Sequence, residues 1–475
     1  MIYNTGNYLV LNEPKELLIL SLFVVICILW AYIFVMYFRS RSRTPRINSN
    51  QFHTTIKVTD KSYLEETKML SLLAHHSLPF VSIIVPARNE EKHIHRCLLS
   101  LLAQDYPNFE IIVIDDNSTD NTLKTIENIK KGTSKIHHMR VEKRQLLSAK
   151  DKLKILSLTD KPHGWAGKTW ASEQGYLHSK GSILLFTDGD TYYGRKDVIS
   201  LTLSYMQKQN LDVLTGIPSI GKVHDFWSRL ILPLWTLVSI LFGVNNTAEV
   251  NNPKSKFAYL MGSFFIVKRK VFEGIGTFKS VREALQEDKA LGVLIKRRGY
   301  NMKIVRLDRM ISAIGSRGDI CTLWHFIGRT LAPLIVKNKV KVVANLLIIF
   351  LVSFLPFIIL PFTFFSTVRE QTSFPVLALS MLKLSHSQPE FNYRHLILSI
   401  NIICCLITII ATSIIGIKEY RLPPTYSLLS FFAAIFIIIA CTYSILPLLV
   451  FNKTRPIMWR GRKYIYKKEQ EGFSI

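Results

Sequence analysis

The chain has 475 residues, of which 60 are Lys or Arg and 34 are Asp or Glu, so its formal net charge is +26. Apolar residues make up 48% of the chain and charged residues 20%, which excludes a disordered or low-complexity protein. This positive balance favours a polyanionic partner, either an anionic lipid surface or nucleic acid. The apolar residues lie in long uncharged runs, which a soluble nucleic-acid binder would not carry. We therefore expect an anionic lipid surface and no nucleic acid as partners.

Four uncharged runs are long enough to cross a bilayer as helices, and they predict an integral, multi-pass membrane protein. The first is followed by four arginines between 39 and 46, which marks its C-terminal end as cytosolic and argues against a cleavable signal peptide. The predicted transmembrane helices lie at 17–38, 342–368, 396–417 and 427–451. They leave an N-terminal tail at 1–16, a juxtamembrane connector at 39–79, a cytosolic α/β domain at 80–335 and a basic tail at 452–475.

Two apolar runs contain prolines that change their interpretation. The run at 230–248 includes Pro233 and Gly243 and predicts an interfacial helix rather than a span. The basic tail indicates a cytosolic C-terminus, but one span before the domain and three after it would place the tail outside. Because Pro356 and Pro361 interrupt the run at 342–368, we expect this run to form a re-entrant hairpin.

The segment between the first two spans alternates strand and helix patterns. Apolar strands are predicted at 81–85, 110–114 and 182–186, with an amphipathic helix between the first two. This spacing is typical of a βαβ unit, whose parallel strands are buried. Less regular patterns at 212–215, 263–267 and 303–307 indicate further strands. The segment is therefore an α/β domain with ligands expected at the carboxyl ends of its strands.

Three strand ends carry polar residues of a kind that predicts a binding site. The first, Pro86-Ala-Arg-Asn-Glu90, has no glycine, which excludes the glycine-rich turns of Rossmann folds and P-loops. The second ends in Asp115-Asp116 and the third in Asp188-Gly-Asp190. Each alone could be a helix cap or an ordinary loop. Carboxylates at three neighbouring strand ends repel one another unless a cation or hydrogen-bond donors compensate, so together they favour a functional site.

With these motifs the chain resembles the membrane-bound, inverting family-2 glycosyltransferases of GT-A fold. The resemblance covers 80–335 and follows the family's order: 81–91, 113–120, 164–171, the Asp188/Asp190 pair and Glu287-Asp288. Within the family the chain is most similar to the hopanoid-associated and carotenoid-acid branch. The evidence for that branch is Gly164-Trp-x-Gly-Lys-x-Trp-Ala171, the Trp324-x-x-x-x-Arg329-Thr330 segment and the tail Trp459-Arg-Gly-Arg-Lys-Tyr464.

The resemblance implies a nucleotide-sugar donor site at the strand ends. Asp115 or Asp116 would accept hydrogen bonds from the base or ribose. Asp190, with Asp188 beside it, would coordinate Mg²⁺ or Mn²⁺ bridging the donor diphosphate. Lys168 and Arg329 would meet the phosphates, although an exposed lysine and an arginine at lipid headgroups are the ordinary alternatives. The other residues implied to bind the donor are Pro86, Ala87, Arg88 and Glu90.

The resemblance also implies a general base and an acceptor site. Asp288 would remove the proton of the acceptor hydroxyl, and Glu287 is the less favoured choice. The alternative is that both only complement the dipole of a helix start. Gly262, Ser263 and Trp324 would contact a membrane-lipid acceptor.

These assignments predict a metal-dependent glycosyltransferase that makes a single transfer to a membrane lipid. Processive family members carry Q-x-x-R-W after the base, whereas the comparable segment here, 323–330, reads LWHFIGRT. A polyprenyl-phosphate sugar transferase is the second possibility, because a phosphate acceptor needs no general base. A catalytically silent membrane scaffold with the same fold is the third.

Overall fold

A computed structural model of the chain describes residues 14–47, 78–133, 150–243, 246–284, 286–314, 318–372, 393–451, 457–459 and 462–464. The predicted tail at 1–16 and connector at 39–79 lie mostly outside these ranges, as does most of the basic tail at 452–475.

An eight-stranded mixed sheet forms the centre of the α/β domain, in the order β3-β2-β1-β4-β7-β6-β8-β5. Its strands are β1 Val81–Ala87, β2 Phe109–Asp116, β3 Leu153–Leu158, β4 Ile183–Phe186, β5 Tyr192–Tyr193, β6 Val213–Ile220, β7 Phe265–Lys268 and β8 Met302–Ala313. A separate hairpin near the C-terminus consists of β9 Ile457–Trp459 and β10 Arg462–Tyr464.

The three predicted strands that carry polar ends are neighbours in the sheet. β1 pairs in parallel with β2 on one side and with β4 on the other. Ala87 lies opposite Asp115, and Ile84 lies opposite Phe186, so the carboxyl ends of all three strands meet at one edge. This confirms the predicted α/β class, while the binding site at this edge stays a prediction. β7 departs from the parallel pattern, since it is antiparallel to both β4 and β6.

Helices cover the sheet and form a bundle beside it. Those of the first part of the chain are α1 Pro14–Ser42, α2 Ile94–Leu102, α3 Thr122–Lys130, α4 Gly167–Leu177, α5 Val198–Lys208, α6 Phe226–Val238, α7 Thr247–Val250, α8 Arg269–Gly274 and α9 Glu287–Arg297. Those that follow are α10 Ile320–Lys337, α11 Lys339–Ser353, α12 Leu355–Thr372, α13 Tyr393–Ile415 and α14 Ser430–Phe451.

Two helices pack closely on the sheet, and the first, α2, is the amphipathic helix that the sequence predicts. The apolar face of α2, which includes Ile94, Leu98 and Leu101, is fully buried. α4 approaches β1 and β2 so closely that a Cβ on Gly175 would lie 2.5 Å from the Ile84 side chain. A glycine is therefore required there, and it lets the start of α4 reach the strand ends.

Four helical segments are long and apolar enough to cross a membrane: Lys15–Ser42, Lys339–Arg369, Tyr393–Tyr420 and Pro424–Pro447. Large apolar side chains on these helices are exposed, as lipid-facing residues are; Leu18, Ile28 and Val35 are examples. The chain therefore has the helices of a membrane-associated protein, at the positions that the hydropathy pattern predicts.

The end of α1 is joined to the α/β domain by hydrogen bonds. The hydroxyls of Ser40 and Thr247 lie 2.9 Å apart, and the Thr247 amide donates to Ser40 Oγ. The Arg306 amide on β8 donates to the carbonyl of Pro45, and the Ile47 amide donates to the carbonyl of Arg306. These hydrogen bonds thus attach the end of the first membrane helix directly to the domain.

α1 and α13 run in the same direction. Arg394 at the start of α13 pairs with Glu16 at the start of α1, with 3.1 Å between nitrogen and oxygen. Beyond the C-terminal end of α13, Glu419 accepts a hydrogen bond from Tyr37 and pairs with Arg41 near the domain. The chain therefore returns to the domain's side of the bundle by the end of α13.

The prediction of a re-entrant hairpin at 342–368 is wrong. The helix does break, at Phe354 between α11 and α12, but Pro361 lies inside α12. The carbonyl of Val352 lies halfway along the helical bundle, where it accepts hydrogen bonds from Trp30 on α1 and Thr408 on α13. Beyond it, Thr363 meets Asn401, one to two turns nearer the far end of the bundle. α11 and α12 therefore form one kinked helix that continues across the bundle.

α14 instead has both of its ends connected to the domain's side of the bundle. Before it, the Tyr420 hydroxyl lies 2.6 Å from the Thr236 hydroxyl of α6. After it, Arg462 of β10 bonds to Asp116 at the end of β2. The described part of the tail thus lies against the α/β domain.

The predicted interfacial helix at 230–248 is shorter than expected. α6 ends at Val238, and a 3-10 helix over Ser239–Phe242 stops at Gly243, whose φ of 77° suits glycine. Ile231, Leu234 and Leu237 have no exposed surface, because α6 packs against α13 and α14.

Candidate active site

A cavity of about 640 Å³ opens at the carboxyl ends of β1, β2 and β4 and extends to the helical bundle. Most of the residues predicted to bind a donor line it: Pro86, Ala87, Arg88, Glu90, Asp116, Lys168, Asp188 and Asp190. Gly262, Ser263, Glu287 and Asp288 line its middle. At its far end lie residues of the bundle, among them Tyr37, Arg41, Trp235, Thr236 and Tyr420. A single space therefore joins the strand ends to the helices.

Arg88 ties together the loops that follow β1 and β2. Its guanidinium donates to the carbonyls of Asp116 and Asn117, at 2.5 and 2.7 Å. Asn89 has a φ of 53° and holds the loop after β2, since its side-chain oxygen accepts from the Thr119 amide. These bonds fix the backbone at one end of the cavity.

The two aspartates that end β2 have different surroundings. Asp115 Oδ2 accepts from the Ser118 amide at 3.3 Å, while its buried Oδ1 has no hydrogen-bond partner among the described residues. Asp115 lies behind the lining, whereas Asp116 faces the cavity. An unpaired buried carboxylate oxygen suits a ligand N–H or O–H. Asp116 is therefore the one of the two that borders the cavity directly.

Arg462 is a lining residue whose role the sequence did not indicate. Its two terminal nitrogens donate to the two oxygens of Asp116, at 2.5 and 2.9 Å. Burial raises the pKa of Asp116, and the bonds and charge of Arg462 oppose that shift. In the sequence, the tail motif at 459–464 indicated a family resemblance and a basic tail, but it did not indicate that Arg462 contacts Asp116.

Lys168 lies at the start of α4 inside a group of carboxylates. Its ammonium is 2.6 Å from Asp188 Oδ1 and 3.1 Å from Glu287 Oε1. Burial by itself lowers the pKa of Lys168, but the surrounding carboxylates, including Asp288, raise it well above its ordinary value. The lysine is therefore a permanent cation, and it supplies the compensation that the acidic strand ends require.

Asp288 lies in the first turn of α9, where its Oδ1 accepts from the Lys289 amide at 2.8 Å. Burial and then the charge of Glu287 raise the pKa of Asp288 to about 6, while Lys168 opposes the shift. A carboxylate with this pKa is ionised near neutral pH yet basic enough to accept a proton.

Gly262 leaves the space in which these charged groups meet. A Cβ there would lie 2.6 Å from Lys168 Nζ, 3.6 Å from Asp288 Oδ2 and 3.7 Å from Asp188 Oδ2. The backbone reaches this point because the Met261 amide donates to Thr215 on β6. A glycine therefore allows the backbone to approach the cluster closely, while the predicted contact of Gly262 with the acceptor stays a prediction.

Asp188 and Asp190 can hold a divalent metal only together with a ligand. In the part of the chain that the structure describes, no set of three or more His, Cys, Asp or Glu side chains is placed to bind a metal. Two carboxylates facing a cavity are nevertheless what Mg²⁺ uses when phosphates supply its remaining ligands. Lys168 lies 2.6 Å from one oxygen of Asp188, so a metal at this oxygen would compete with the lysine.

Trp324, like Asp115, stands apart from the lining, and Arg329 cannot be placed. Trp324 is not among the described residues that line the cavity; its ring packs edge-on against Phe436 and Tyr443 of α14. Its neighbours Phe326 and Thr330 face the cavity instead. The side chain of Arg329 lies outside the described residues, so its predicted contact with phosphate stays a prediction.

Comparison with known proteins identifies the domain that carries this site. Residues 82–276 match the model of Glycosyl transferase family 2, which ends before Glu287 and Asp288. The chain is similar to the 4,4'-diaponeurosporenoate glycosyltransferases of Staphylococcus aureus strains USA300 and NCTC 8325 / PS 47. Identity is 26% over 213 residues, which are 45% of this chain and 50% of each relative. The chain thus spans about half the length of these relatives.

Solved structures align over much of the chain at low identity. The mannosyltransferase PcManGT from Pyrobaculum calidifontis, in complex with GDP-Man and Mn²⁺, aligns at 15% identity and a TM-score of 0.45, over 90% of this chain and 99% of that one. Staphylococcus aureus TarS aligns at 18% identity and a TM-score of 0.34, over 57% and 42%. The family match and the mixed sheet, with its polar strand ends, give the conclusion: residues 82–276 form an α/β domain that matches Glycosyl transferase family 2.

Proposed function

We propose that this protein transfers one sugar, with inversion, from a nucleotide-diphosphate sugar to a membrane lipid in a divalent-metal-dependent reaction. The observation that carries the proposal is the continuous cavity. It begins at Arg88 and Asp116, passes Asp188, Asp190 and Asp288, and ends among bundle residues such as Tyr37. A water-soluble donor and an apolar acceptor can therefore meet inside it. The similarity to the 4,4'-diaponeurosporenoate glycosyltransferases supports an apolar acceptor.

The donor would lie along the strand ends. Arg88 and the aspartates that end β2 would bind the nucleoside, and Asp188 and Asp190 would be the residues that hold a divalent metal. A bound Mg²⁺ or Mn²⁺ would stabilise the negative charge that develops on the leaving diphosphate. Lys168 adds a fixed positive charge at the same place, where it compensates the carboxylates and orients Asp188.

The acceptor would enter from the bundle, with its hydroxyl next to Asp288. This carboxylate takes the hydroxyl proton as the acceptor oxygen bonds to the anomeric carbon, and the bond from that carbon to the diphosphate oxygen breaks. Attack from the side opposite the leaving group inverts the anomeric carbon. Gly262 leaves room for the acceptor beside Asp288.

The test uses the full chain in lipid nanodiscs, supplied with UDP- and GDP-sugars, Mn²⁺ and a lipid extract. We expect nucleoside diphosphate release that depends on the extract, and a lipid whose mass increases by one sugar. Release that is the same without lipid, or no lipid product with any donor, would refute the proposal. A lipid product that Asp288→Asn still forms at a near-normal rate would identify a phosphate acceptor, as in the polyprenyl-phosphate alternative.

We also propose that the domain and the tail lie in the cytosol, against an anionic lipid surface. The arginines that follow α1 and the contact between Arg462 and Asp116 support this orientation. A Cys321→Ser background removes the exposed native thiol. In that background Ser474→Cys should resist an impermeant thiol reagent in intact cells, whereas Asn4→Cys should react. Labelling of Ser474→Cys would contradict the orientation.

A further inference from the structure

The C-terminal hairpin of β9 and β10 contacts the nucleotide end of the cavity through the side chain of Arg462. Arg462 Nη1 lies 2.5 Å from Asp116 Oδ2, and Nη2 lies 2.9 Å from Oδ1. These residues are 346 positions apart in the chain. The two parallel bonds form the planar, bidentate arrangement that fixes both partners most firmly.

This ion pair belongs to the site rather than to a remote surface. Asp116 and Arg462 both line the cavity, and Arg88 holds the carbonyl of Asp116 from the other side. The side chains of Asp116 and Arg462 are only 7% and 18% exposed. Lys161 is near enough for its charge to be felt by Arg462 and Asp116. Arg88 and Arg462 therefore line the nucleotide end of the cavity together with the buried carboxylate of Asp116.

The pair fixes the carboxylate without using up its acceptor capacity. Each carboxylate oxygen can accept two hydrogen bonds, and Arg462 uses one on each. The remaining positions point away from the guanidinium and can receive a ribose hydroxyl or a base N–H. Without Arg462, the burial of Asp116 would favour its protonated form and leave its orientation unset.

We propose, on the basis of the proposed function, that the C-terminal hairpin forms a wall of the donor site and that Arg462 positions Asp116 to bind the donor nucleoside. The site is then assembled from two parts of the chain, the end of β2 and the segment that follows the last membrane helix. Donor binding and docking of the hairpin are coupled, because each favours the same arrangement of Asp116.

The experiment measures the affinity of UDP and GDP, with Mn²⁺, for the full chain in nanodiscs. Arg462→Ala and Asp116→Asn should each lower the affinity for the nucleotide that wild type prefers by about 10- to 100-fold. The double variant should bind no more than about threefold more weakly than either single variant, since residues that act together are not additive. Arg462→Lys should recover little affinity, because lysine cannot form the bidentate pair.

Lys463→Ala is the matched control, since it removes one positive charge from the same strand. It should bind within twofold of wild type. The hairpin at 457–464 should also exchange its amide hydrogens more slowly when the nucleotide is bound, in wild type but not in Arg462→Ala.

The outcomes separate this inference from the proposed function. If wild type binds neither nucleotide, both fail. If wild type binds but Arg462→Ala and Arg462→Lys bind as well as it does, the donor site stands and the role of Arg462 is wrong. Equal losses of nucleotide affinity in Arg462→Ala and Lys463→Ala would show a general charge effect. Strictly additive losses of affinity when Arg462→Ala is combined with Asp116→Asn would also overturn the positioning role.

Discussion

Replacing Lys168 by methionine should move the pH dependence of catalysis to higher pH. Asp288 acts as a base only when ionised, so turnover falls as the pH drops below its pKa, which is about 6. Lys168 lowers that pKa by its positive charge. Lys168→Met removes the charge but keeps most of the volume of the side chain. The pKa of Asp288 then rises, and turnover is lost at a higher pH than in wild type.

The size of the shift follows from the geometry around Gly262. Lys168 Nζ and Asp288 Oδ2 lie 2.6 and 3.6 Å from the same point, so they are at most about 6.2 Å apart. At an effective dielectric constant of about 20, this separation gives an attraction of about 3 kcal/mol, or roughly two pKa units. The side chain of Lys168 is 35% exposed, and solvent screening reduces the figure by about half. We expect a shift of about one pH unit.

The assay is the initial rate of nucleoside diphosphate release between pH 5 and 9, at saturating donor and lipid. Saturation separates the effect on turnover from any loss of donor affinity that follows removal of the lysine. Lys279→Met is the control, because its lysine is 66% exposed and pairs with Glu173 away from the cluster. An acid limb that stays in place, or moves to lower pH, would refute the electrostatic role of Lys168.

Three further changes test the other parts of the site. Asp288→Asn should lower single-turnover rates by about 10²–10⁴-fold and leave nucleotide affinity within twofold, while Glu287→Gln costs less; the reverse ranking would make Glu287 the base. Asp190→Ala should abolish metal-dependent nucleotide binding in titrations, as a chelator should in wild type, and full activity in chelator would exclude the metal. Gly262→Ala should lower turnover by about 10- to 100-fold with an unchanged melting temperature, because its Cβ displaces Lys168. Gly416→Ala serves as its control, because its Cβ would have neighbours no closer than 3.9 Å. An equal loss of turnover in Gly416→Ala would contradict the explanation by displacement of Lys168.

The centre of the sheet could be predicted because its strands are short, continuous apolar runs. β1, β2 and β4 are buried on both faces, and such strands must end in polar residues where they reach solvent. Asp116, Asp188 and the first strand end therefore meet as expected. β3 was missed because it is an edge strand whose side chains are mostly half-exposed, and Lys154 and Ser157 interrupt its apolar pattern.

Contacts between distant segments could not be predicted in the same way. The pair of Asp116 and Arg462 leaves no local pattern, and a basic tail has the same composition whether it binds lipid or protein. The resemblance assigned Trp324 to the acceptor, and nothing in the sequence indicated that its ring would pack against Tyr443 of α14. Pro361 remained inside a helix because neighbouring helices stabilise a proline that would break an isolated one.

The bonds between the end of α1 and the α/β domain have a consequence for biosynthesis. Ser40 is translated 207 residues before its partner Thr247, and Pro45 is translated long before Arg306. At about 5–20 residues per second, the first membrane helix waits roughly 10–40 seconds for Thr247. During that time Ser40 and Pro45 are without the partners that they have in the folded domain. We expect the arginines at 39–46 to hold this segment at anionic lipid headgroups until the domain has been made.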